Sequence, residues 1–145
     1  SLGGTYASQI VSGYKKTIFE KNIFDSTEEK IFADIIDRDP KVKKWIKPNL
    51  GQSPIEYENL TLKQYNPDFY LETDEKNYVI EIKKRQDLEN KDAIVIRKAR
   101  AAIDWCNTVN TKSTKKWEYK IIPHDEVEER KNFSQVLTMA QNILE

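Results

Sequence analysis

Residues 65–84 read YNPDFYLETDEKNYVIEIKK, and this stretch decides how the chain is expected to fold. The apolar runs at residues 69–71 and 78–82 predict two strands, and the polar run at residues 73–77 predicts the turn that joins them. Because side chains alternate along a strand, Glu81 and Lys83 are expected to share one face, about 6.6 Å apart. Ile82 is then expected to point into the core.

Asp68 lies where the first of these two strands begins, directly after Pro67. Pairing of the strands is expected to bring its carboxylate beside that of Glu81. Two carboxylates and an ammonium group at a strand end suit a hard divalent cation with a positive charge next to it. The plainer interpretation is a half-exposed hairpin in which Glu81 and Lys83 only pair along one strand, which contributes about 0.2–1 kcal/mol.

Length and composition bound the class of protein. A chain of 145 residues with 38% hydrophobic and 33% charged residues predicts one soluble, ordered domain. No apolar run approaches the roughly 18 residues of a membrane span. The one cysteine, Cys106, excludes an internal disulfide and fits a reducing cytoplasm, and with the one histidine, His124, it excludes a zinc site of the Cys/His type. His124 is assigned to a loop and has no predicted role.

The charge distribution is more informative than the net charge. With 24 basic and 24 acidic residues, the formal net charge of zero argues against strong non-specific DNA binding. Between Lys83 and Arg100, however, seven residues are basic and three are acidic. This segment is either a positive patch next to the predicted site or the solvated face of a loop and a helix.

Two helices have clear signals. Ser26 and Glu29 form a capping-box pattern before an apolar helical run that ends at Asp39-Pro40, so Glu29 has a structural role available as a cap. The longest helix is predicted over about 92–108, with a buried stripe of Val95, Ala99, Ala102 and Cys106.

The remaining elements are assigned from shorter patterns. Residues 1–24 predict one or two short strands or a packed arm. The later segments predict a packed turn at 42–46, a strand from Ile55, a polar loop over 85–91, a strand at 117–122, and a closing helix carrying Phe133, Val136, Leu137, Ala140, Ile143 and Leu144 on one face. This order predicts an α/β domain with a mixed sheet flanked by helices.

Pro67-Asp68 followed by Glu81-Ile82-Lys83, with twelve residues between the two acids, resembles the motif of the PD-(D/E)xK nuclease superfamily. Further residues, in one order, resemble the C-terminal endonuclease domain of type III restriction enzymes: Ser26, Glu29, Phe32-Ala33, Val42, Trp45, Ile55, Tyr57, Tyr65, Phe69, Lys98-Ala99, Ala101-Ala102, Trp105, Trp117 and Tyr119. The resemblance covers roughly residues 25–123. The chain departs from the pattern at Lys84, where similar domains often have glycine.

The resemblance implies a restriction-endonuclease-like core over residues 25–145, including a C-terminal helix, with residues 1–24 as an arm or linker from a missing upstream region. The start at Ser1–Gly4 is then read as vector-derived. The implied function is that of an Mg²⁺-dependent endodeoxyribonuclease, the cleavage module of a bacterial type III restriction–modification system. Its implied partners are DNA, an ATP-dependent helicase domain upstream in the same chain, and a separate methyltransferase subunit.

The resemblance also assigns roles to individual residues. Mg²⁺, or Mn²⁺ as a substitute, is expected on Asp68, Glu81 and the main-chain carbonyl of Ile82, with Glu29 binding a second metal or its water. Lys83 is expected to neutralise the scissile phosphate or to orient the attacking water. The catalytic set is therefore Asp68, Glu81, Lys83 and Glu29, and the expected DNA contacts are Lys84, Arg97, Lys98 and Arg100.

Two alternatives to an active nuclease stay open at this point. One is a nuclease fold that has lost activity and serves as a DNA-binding or scaffold module; the complete set of Asp68, Glu81 and Lys83 argues against it. The other is a protein-interaction domain that presents Trp45, Trp105 and Trp117 at its surface, although tryptophans at these spacings are more often buried.

Overall fold

The computed structural model describes residues 8–144, so the expectation for Ser1–Gly4 lies outside the described residues. The strands are β1 (Gln9–Ser12), β2 (Lys21–Phe24), β3 (Val42–Ile46), β4 (Ile55–Asn59), β5 (Thr61–Tyr65), β6 (Phe69–Thr73), β7 (Asn77–Lys83) and β8 (Trp117–Pro123). The helices are α1 (Thr27–Arg38), α2 (Arg85–Glu89), α3 (Ala93–Asn110) and α4 (Phe133–Leu137), and a single 3₁₀ turn covers His124–Glu126.

The central sheet has four strands in the order β3-β6-β7-β8. Strand β6 is antiparallel to both β3 and β7, and β8 runs parallel to β7. A parallel pair needs a long crossover, and here the crossover contains α2 and α3. The prediction of an α/β domain with a mixed central sheet flanked by helices is confirmed.

The alternation of side chains along β7 divides the core between the two faces of the sheet. Tyr78 and Ile80 pack on one face in the cluster that contains residues of α1 and α4, with Ile82 packed against its edge as expected. Val79 packs on the opposite face with Ala102 and Cys106 of α3. Glu81 is two residues beyond Val79 and so points to the α3 side.

The two long helices follow their sequence signals. Ser26 is the N-cap of α1, and its hydroxyl accepts a hydrogen bond from the Glu29 N–H at 3.1 Å. The buried residues of α3 are the predicted stripe of Val95, Ala99, Ala102 and Cys106. No helix within residues 8–144 is long and apolar enough to cross a membrane.

The predicted turn at Val42–Ile46 is wrong, because this segment is the edge strand β3. Val42 and Trp45 are both about 1% exposed. They are three residues apart, whereas residues on the same face of a regular strand are separated by an even number of positions. A register shift between Val42 and Lys44 in the pairing with β6 explains this spacing. A bulge inserts one extra residue and allows both side chains to point into the core.

Two polar segments form elements that were not predicted from the sequence. Residues 61–65 form a strand, β5, that pairs with β4 in a separate hairpin, but its first four residues are exposed and give no alternating signal. The predicted loop over 85–91 contains the short helix α2, whose buried residue is Leu88. The N-terminal segment contains two short paired strands, β1 and β2, which is one of the arrangements that were predicted for it.

The closing helix is shorter than predicted, because α4 ends at Leu137. The chain then turns, and the Gln141 N–H donates a hydrogen bond to the Ile121 carbonyl of β8 at 2.8 Å. Phe133 and Val136 pack in the cluster with α1, whereas Ile143 packs in another cluster with α3 and β8. One continuous helix therefore does not carry all six apolar residues on a single face.

The three tryptophans are part of the packed interior or of its margin. Trp45 is a core residue beside Phe69, with the ring centroids 5.8 Å apart. Trp105 and Trp117 are partly buried against the α3-side core and contact each other edge to face at 5.2 Å. This packing gives each tryptophan a structural role, which weakens the interpretation that they form a docking surface.

Candidate functional site

The β6–β7 hairpin brings Asp68 and Glu81 together at the end opposite its turn. Phe69 lies opposite Ile80, so Asp68 directly precedes and Glu81 directly follows this pair. The Asp68 N–H donates a hydrogen bond to Glu81 Oε1 at 3.2 Å, and the Ile82 N–H donates one to Asp68 Oδ2 at 2.7 Å. Each carboxylate is thus held by a main-chain N–H group of the other strand.

Glu81 is a buried charged residue, with 8% of its surface exposed. Burial raises the pKa of Glu81 well above its usual range, and the neighbouring carboxylate of Asp68 raises it further. The positive charges of Lys83 and Lys98 oppose this increase in pKa but do not cancel it. The pair of acids therefore favours binding a positive charge, either a proton or a cation that replaces it.

Tyr65 and Tyr119 extend the site towards α3, and neither was predicted to have a role there. Their hydroxyl groups are hydrogen-bonded to each other at 2.8 Å. Burial, together with the charge of Glu81, raises the pKa of both phenols well above the usual value, so both are neutral donors near neutral pH. They form an uncharged wall next to the Glu81 carboxylate.

Lys98 of α3 is held on the same side. Its ammonium group lies 5.5 Å from the ring centroid of Tyr57 and 5.6 Å from that of Tyr65, within the range of cation–π attraction. Its charge acts on Glu81. The structure thus brings Lys98, which was predicted as a DNA contact, to the carboxylates.

The other three predicted DNA contacts lie further out. Lys84 is exposed and directly precedes α2. Arg97 and Arg100 are exposed on α3, where they line a groove that also contains the carboxylates of Glu56 and Glu58. Arg97 also donates a hydrogen bond to Asn59 Oδ1 at 2.9 Å. The basic segment is therefore divided between the site and a groove of mixed charge.

Lys83 is two residues beyond Glu81 on β7 and pairs with Pro123 of β8. The alternation of the strand places it on the same face as Glu81, as the sequence predicted. Lys83 is partly buried, and its positive charge offsets part of the increase in the pKa of Glu81. A phosphate that approached this strand end would meet the ammonium group beside the two acids.

Lys47 is a member of the cluster that was not predicted. It directly follows β3, and because Ile46 pairs with Tyr70, it lies next to the start of β6. Its ammonium nitrogen is 2.8 Å from Glu29 Oε1 and 3.9 Å from Asp68 Oδ1. It also donates to the Asp68 carbonyl at 3.5 Å. Its position depends on strand register, which the sequence of residues 42–48 does not reveal.

Glu29 is brought to the same cluster by the first turn of α1. Its Oε1 accepts hydrogen bonds from Lys47 and from the Asp25 N–H, the latter at 3.2 Å. Burial and the charge of Asp68 raise the pKa of Glu29, while Lys47 acts to lower it. For Lys47 itself, burial alone would lower the pKa, but Asp68 and Glu29 together raise it, so its amine stays protonated.

The oxygen atoms of this site suit a hard cation. Asp68 and Glu81 supply two carboxylates, which is the number of protein ligands that Mg²⁺ commonly takes, with water and substrate phosphate as the others. The N–H and C=O of a strand residue point to the same edge, so the Ile82 carbonyl faces the same side as the N–H that binds Asp68. Residues 8–144 contain no group of three or more His, Cys, Asp or Glu side chains arranged to enclose a metal.

Comparisons with known proteins give no assignment for the chain. No protein-family model matches it, and no match is found among curated proteins or among solved structures.

Proposed function

We propose that this chain is a metal-dependent endonuclease domain that hydrolyses phosphodiester bonds in DNA. The observation that carries the proposal is the convergence of the Asp68 and Glu81 carboxylates at the open end of a hairpin, with Lys83 on the same strand face as Glu81. The resemblance of the two motif halves to the PD-(D/E)xK pattern supports the same conclusion.

Asp68, Glu81 and the Ile82 carbonyl are the groups that would hold Mg²⁺ or Mn²⁺. When bound, such an ion would supply Lewis acidity and water activation for phosphodiester hydrolysis. Hydrogen bonds from main-chain N–H groups fix both carboxylates before any ligand arrives, so little reorganisation is needed.

The lysines of the site have separate tasks in this proposal. Lys83 contacts a non-bridging oxygen of the scissile phosphate and offsets the negative charge that develops during hydrolysis. Lys98, held over the rings of Tyr57 and Tyr65, contacts a phosphate on the α3 side. Tyr65 and Tyr119 exclude water from the buried side of Glu81 and so strengthen its interaction with a cation.

We propose further that the core is restriction-endonuclease-like and that the domain is the cleavage module of a type III restriction enzyme. In that arrangement an ATP-dependent helicase domain lies upstream in the same chain, and a separate methyltransferase subunit accompanies it. The support for this larger assembly is the ordered series of matching residues between Ser26 and Tyr119.

The test is cleavage of supercoiled plasmid and single-stranded DNA in Mn²⁺ by the wild-type chain and by two variants. Lys83→Ala removes the proposed phosphate contact, and Lys112→Ala removes an exposed lysine in the loop after α3. We expect wild type and Lys112→Ala to cleave equally and Lys83→Ala to lose at least about 100-fold in rate. Equal cleavage by all three proteins would overturn the assignment.

The alternative is an inactive nuclease-fold module that only binds DNA, and the same samples distinguish it. If no protein cleaves, DNA affinity is measured with and without Ca²⁺. Binding that strengthens in Ca²⁺, and that Asp68→Asn abolishes, favours a competent site that needs its helicase. A DNA affinity that does not change when Ca²⁺ is added favours the inactive module.

A further inference from the structure

Lys47 is enclosed more tightly than an ordinary surface ion pair. The side chains of Lys47 and Glu29 are each 12% exposed, and that of Asp68 is 18% exposed. The ammonium group also lies over the ring of Phe69, 5.4 Å from its centroid. One cation of fixed position thus contacts Glu29, Asp68 and an aromatic face at the same time.

This position is the one that a second metal ion between Glu29 and Asp68 would need. Mg²⁺ and Mn²⁺ require ligand oxygens at roughly 2.0–2.2 Å, so such an ion and an ammonium nitrogen 2.8 Å from Glu29 Oε1 cannot occupy the space together. Glu29 Oε1 is, in addition, already an acceptor for the Asp25 N–H. Moving Lys47 out would also remove its ammonium group from the face of the Phe69 ring.

The Asp68–Glu81 side of the cluster is different. Asp68 Oδ2 is bound by the Ile82 N–H, on the side of Glu81, whereas the oxygen nearer to Lys47 is Oδ1. Asp68 therefore presents its two oxygens to two neighbours of opposite kind. One is an ammonium group, and the other is the carboxyl group of Glu81, on which Lys83 and Lys98 act only through the longer-range effect of their charges.

We propose that Lys47 is a built-in counter-cation for Glu29 and Asp68, and that the domain consequently binds one divalent ion, on Asp68 and Glu81. Glu29 is then a positioning residue that holds Lys47 and, through it, Asp68. This inference rests on the proposed metal-dependent function. It replaces the expectation that Glu29 binds a second metal.

The experiment is a calorimetric titration of the whole chain with Mn²⁺, and with Ca²⁺ as a second ion, without DNA. Wild type and Lys47→Arg, which keeps the positive charge, are expected to bind one ion. Lys47→Met keeps much of the apolar stem but leaves Glu29 and Asp68 without a counter-charge, so it is expected to bind two ions. A stoichiometry of two in wild type, or of one in folded Lys47→Met, would overturn the inference.

Glu29→Gln provides a second measurement that does not depend on the folding of Lys47→Met. If Glu29 is not a ligand, this variant still binds one Mn²⁺, with a dissociation constant within about threefold of wild type. A loss of one bound ion, or a weakening of tenfold or more, would overturn the inference. Circular dichroism checks that each variant is folded.

Failure of this inference and failure of the proposed function give different results. If wild type binds no ion, or if Asp68→Asn binds as well as wild type, the metal site itself is wrong and both proposals fall. If wild type binds one ion and Asp68→Asn binds none, the metal site is supported. If Lys47→Met then also binds only one ion, the proposed role of Lys47 is wrong.

Discussion

The main-chain N–H of Asp68 is hydrogen-bonded to the side chain of Glu81, although twelve residues separate the two acids in the sequence. The hairpin between them fixes this geometry, so the two negative charges are held together by the fold. Glu81 is also buried, which adds the cost of desolvating a carboxylate. The fold thus stores unfavourable energy at a site where a bound cation would relieve it.

Glu81→Gln is expected to stabilise the metal-free protein. The amide has nearly the shape of the carboxyl group and can still accept from the Asp68 N–H, but it carries no charge. Burial and the charge of Asp68 both disfavour the ionised form of Glu81, so we expect the free energy of unfolding at pH 8 to increase when this charge is removed. The free energy of unfolding is measured by urea denaturation in EDTA. Glu20→Gln, which removes an exposed carboxylate, is the control. A less stable Glu81→Gln protein would contradict the assignment of strain to this carboxylate.

The stability of the metal-free protein is expected to depend on pH in an unusual direction. Burial, with repulsion from Asp68, raises the pKa of both Glu81 and Glu29 above the ordinary glutamate value of 4.5. The folded state then holds protons that the unfolded state has released, so the free energy of unfolding falls as the pH rises above about 4.5 through the raised pKa values.

Surface carboxylates make stability depend on pH in the opposite direction, and they do so at lower pH. A hydrogen bond from Lys76 lowers the pKa of Glu118. The stability that this hydrogen bond contributes is therefore lost as the pH falls below 4.5, the ordinary pKa of glutamate, and through the lowered pKa of Glu118. Urea midpoints collected between pH 4.5 and 8.5 in EDTA therefore isolate the buried acids. The decline should be weaker in Glu81→Gln, and a wild-type midpoint that rises over this range would contradict the expectation.

Removal of the α1 cap should weaken the protein by a measurable amount. Ser26→Ala deletes the hydroxyl that accepts from the Glu29 N–H at 3.1 Å. Loss of such a cap costs about 1 kcal/mol, so the urea midpoint should fall, and Glu29 in the first turn should be held less firmly. Ser12→Ala, at an exposed position of β1, is the control and should change stability by less than about 0.5 kcal/mol. An unchanged midpoint in Ser26→Ala would show that the first turn frays in the wild type.

The thiol of Cys106 should be inert until the domain unfolds. It is 3% exposed, and burial raises its pKa to about 12, so it is both covered and protonated at pH 8. Iodoacetamide labelling followed by mass spectrometry across a urea gradient should follow the global unfolding curve. Rapid alkylation in native buffer would mean that α3 opens away from the sheet.

The sequence was most informative where the relevant contacts are local. Asp68 and Glu81 flank a short hairpin, so the strand pattern and the turn are enough to place them side by side. The buried stripe of α3 follows from helical spacing alone, and the Ser26 cap follows from residues within one turn.

The features that the sequence did not predict depend on contacts between segments that are far apart in the chain. Lys47 reaches Glu29 and Asp68 because of the β3–β6 register, and a bulge in β3 conceals the strand period that would have revealed it. The extent of α4 was overestimated because the six apolar residues of the tail fit one helical face. The structure divides them between two core clusters after the chain bends to pair Gln141 with Ile121.

That bend has a consequence for the behaviour of the domain in solution. β8 is an edge strand, and the unpaired groups of an edge can recruit a strand from another molecule. The Gln141–Ile121 hydrogen bond covers part of this edge, and on the opposite edge the Lys16 carbonyl accepts from the Trp45 N–H of β3 at 3.0 Å. The terminal segments thus cover part of both edges of the sheet, which leaves fewer main-chain groups free to pair with a strand of another copy.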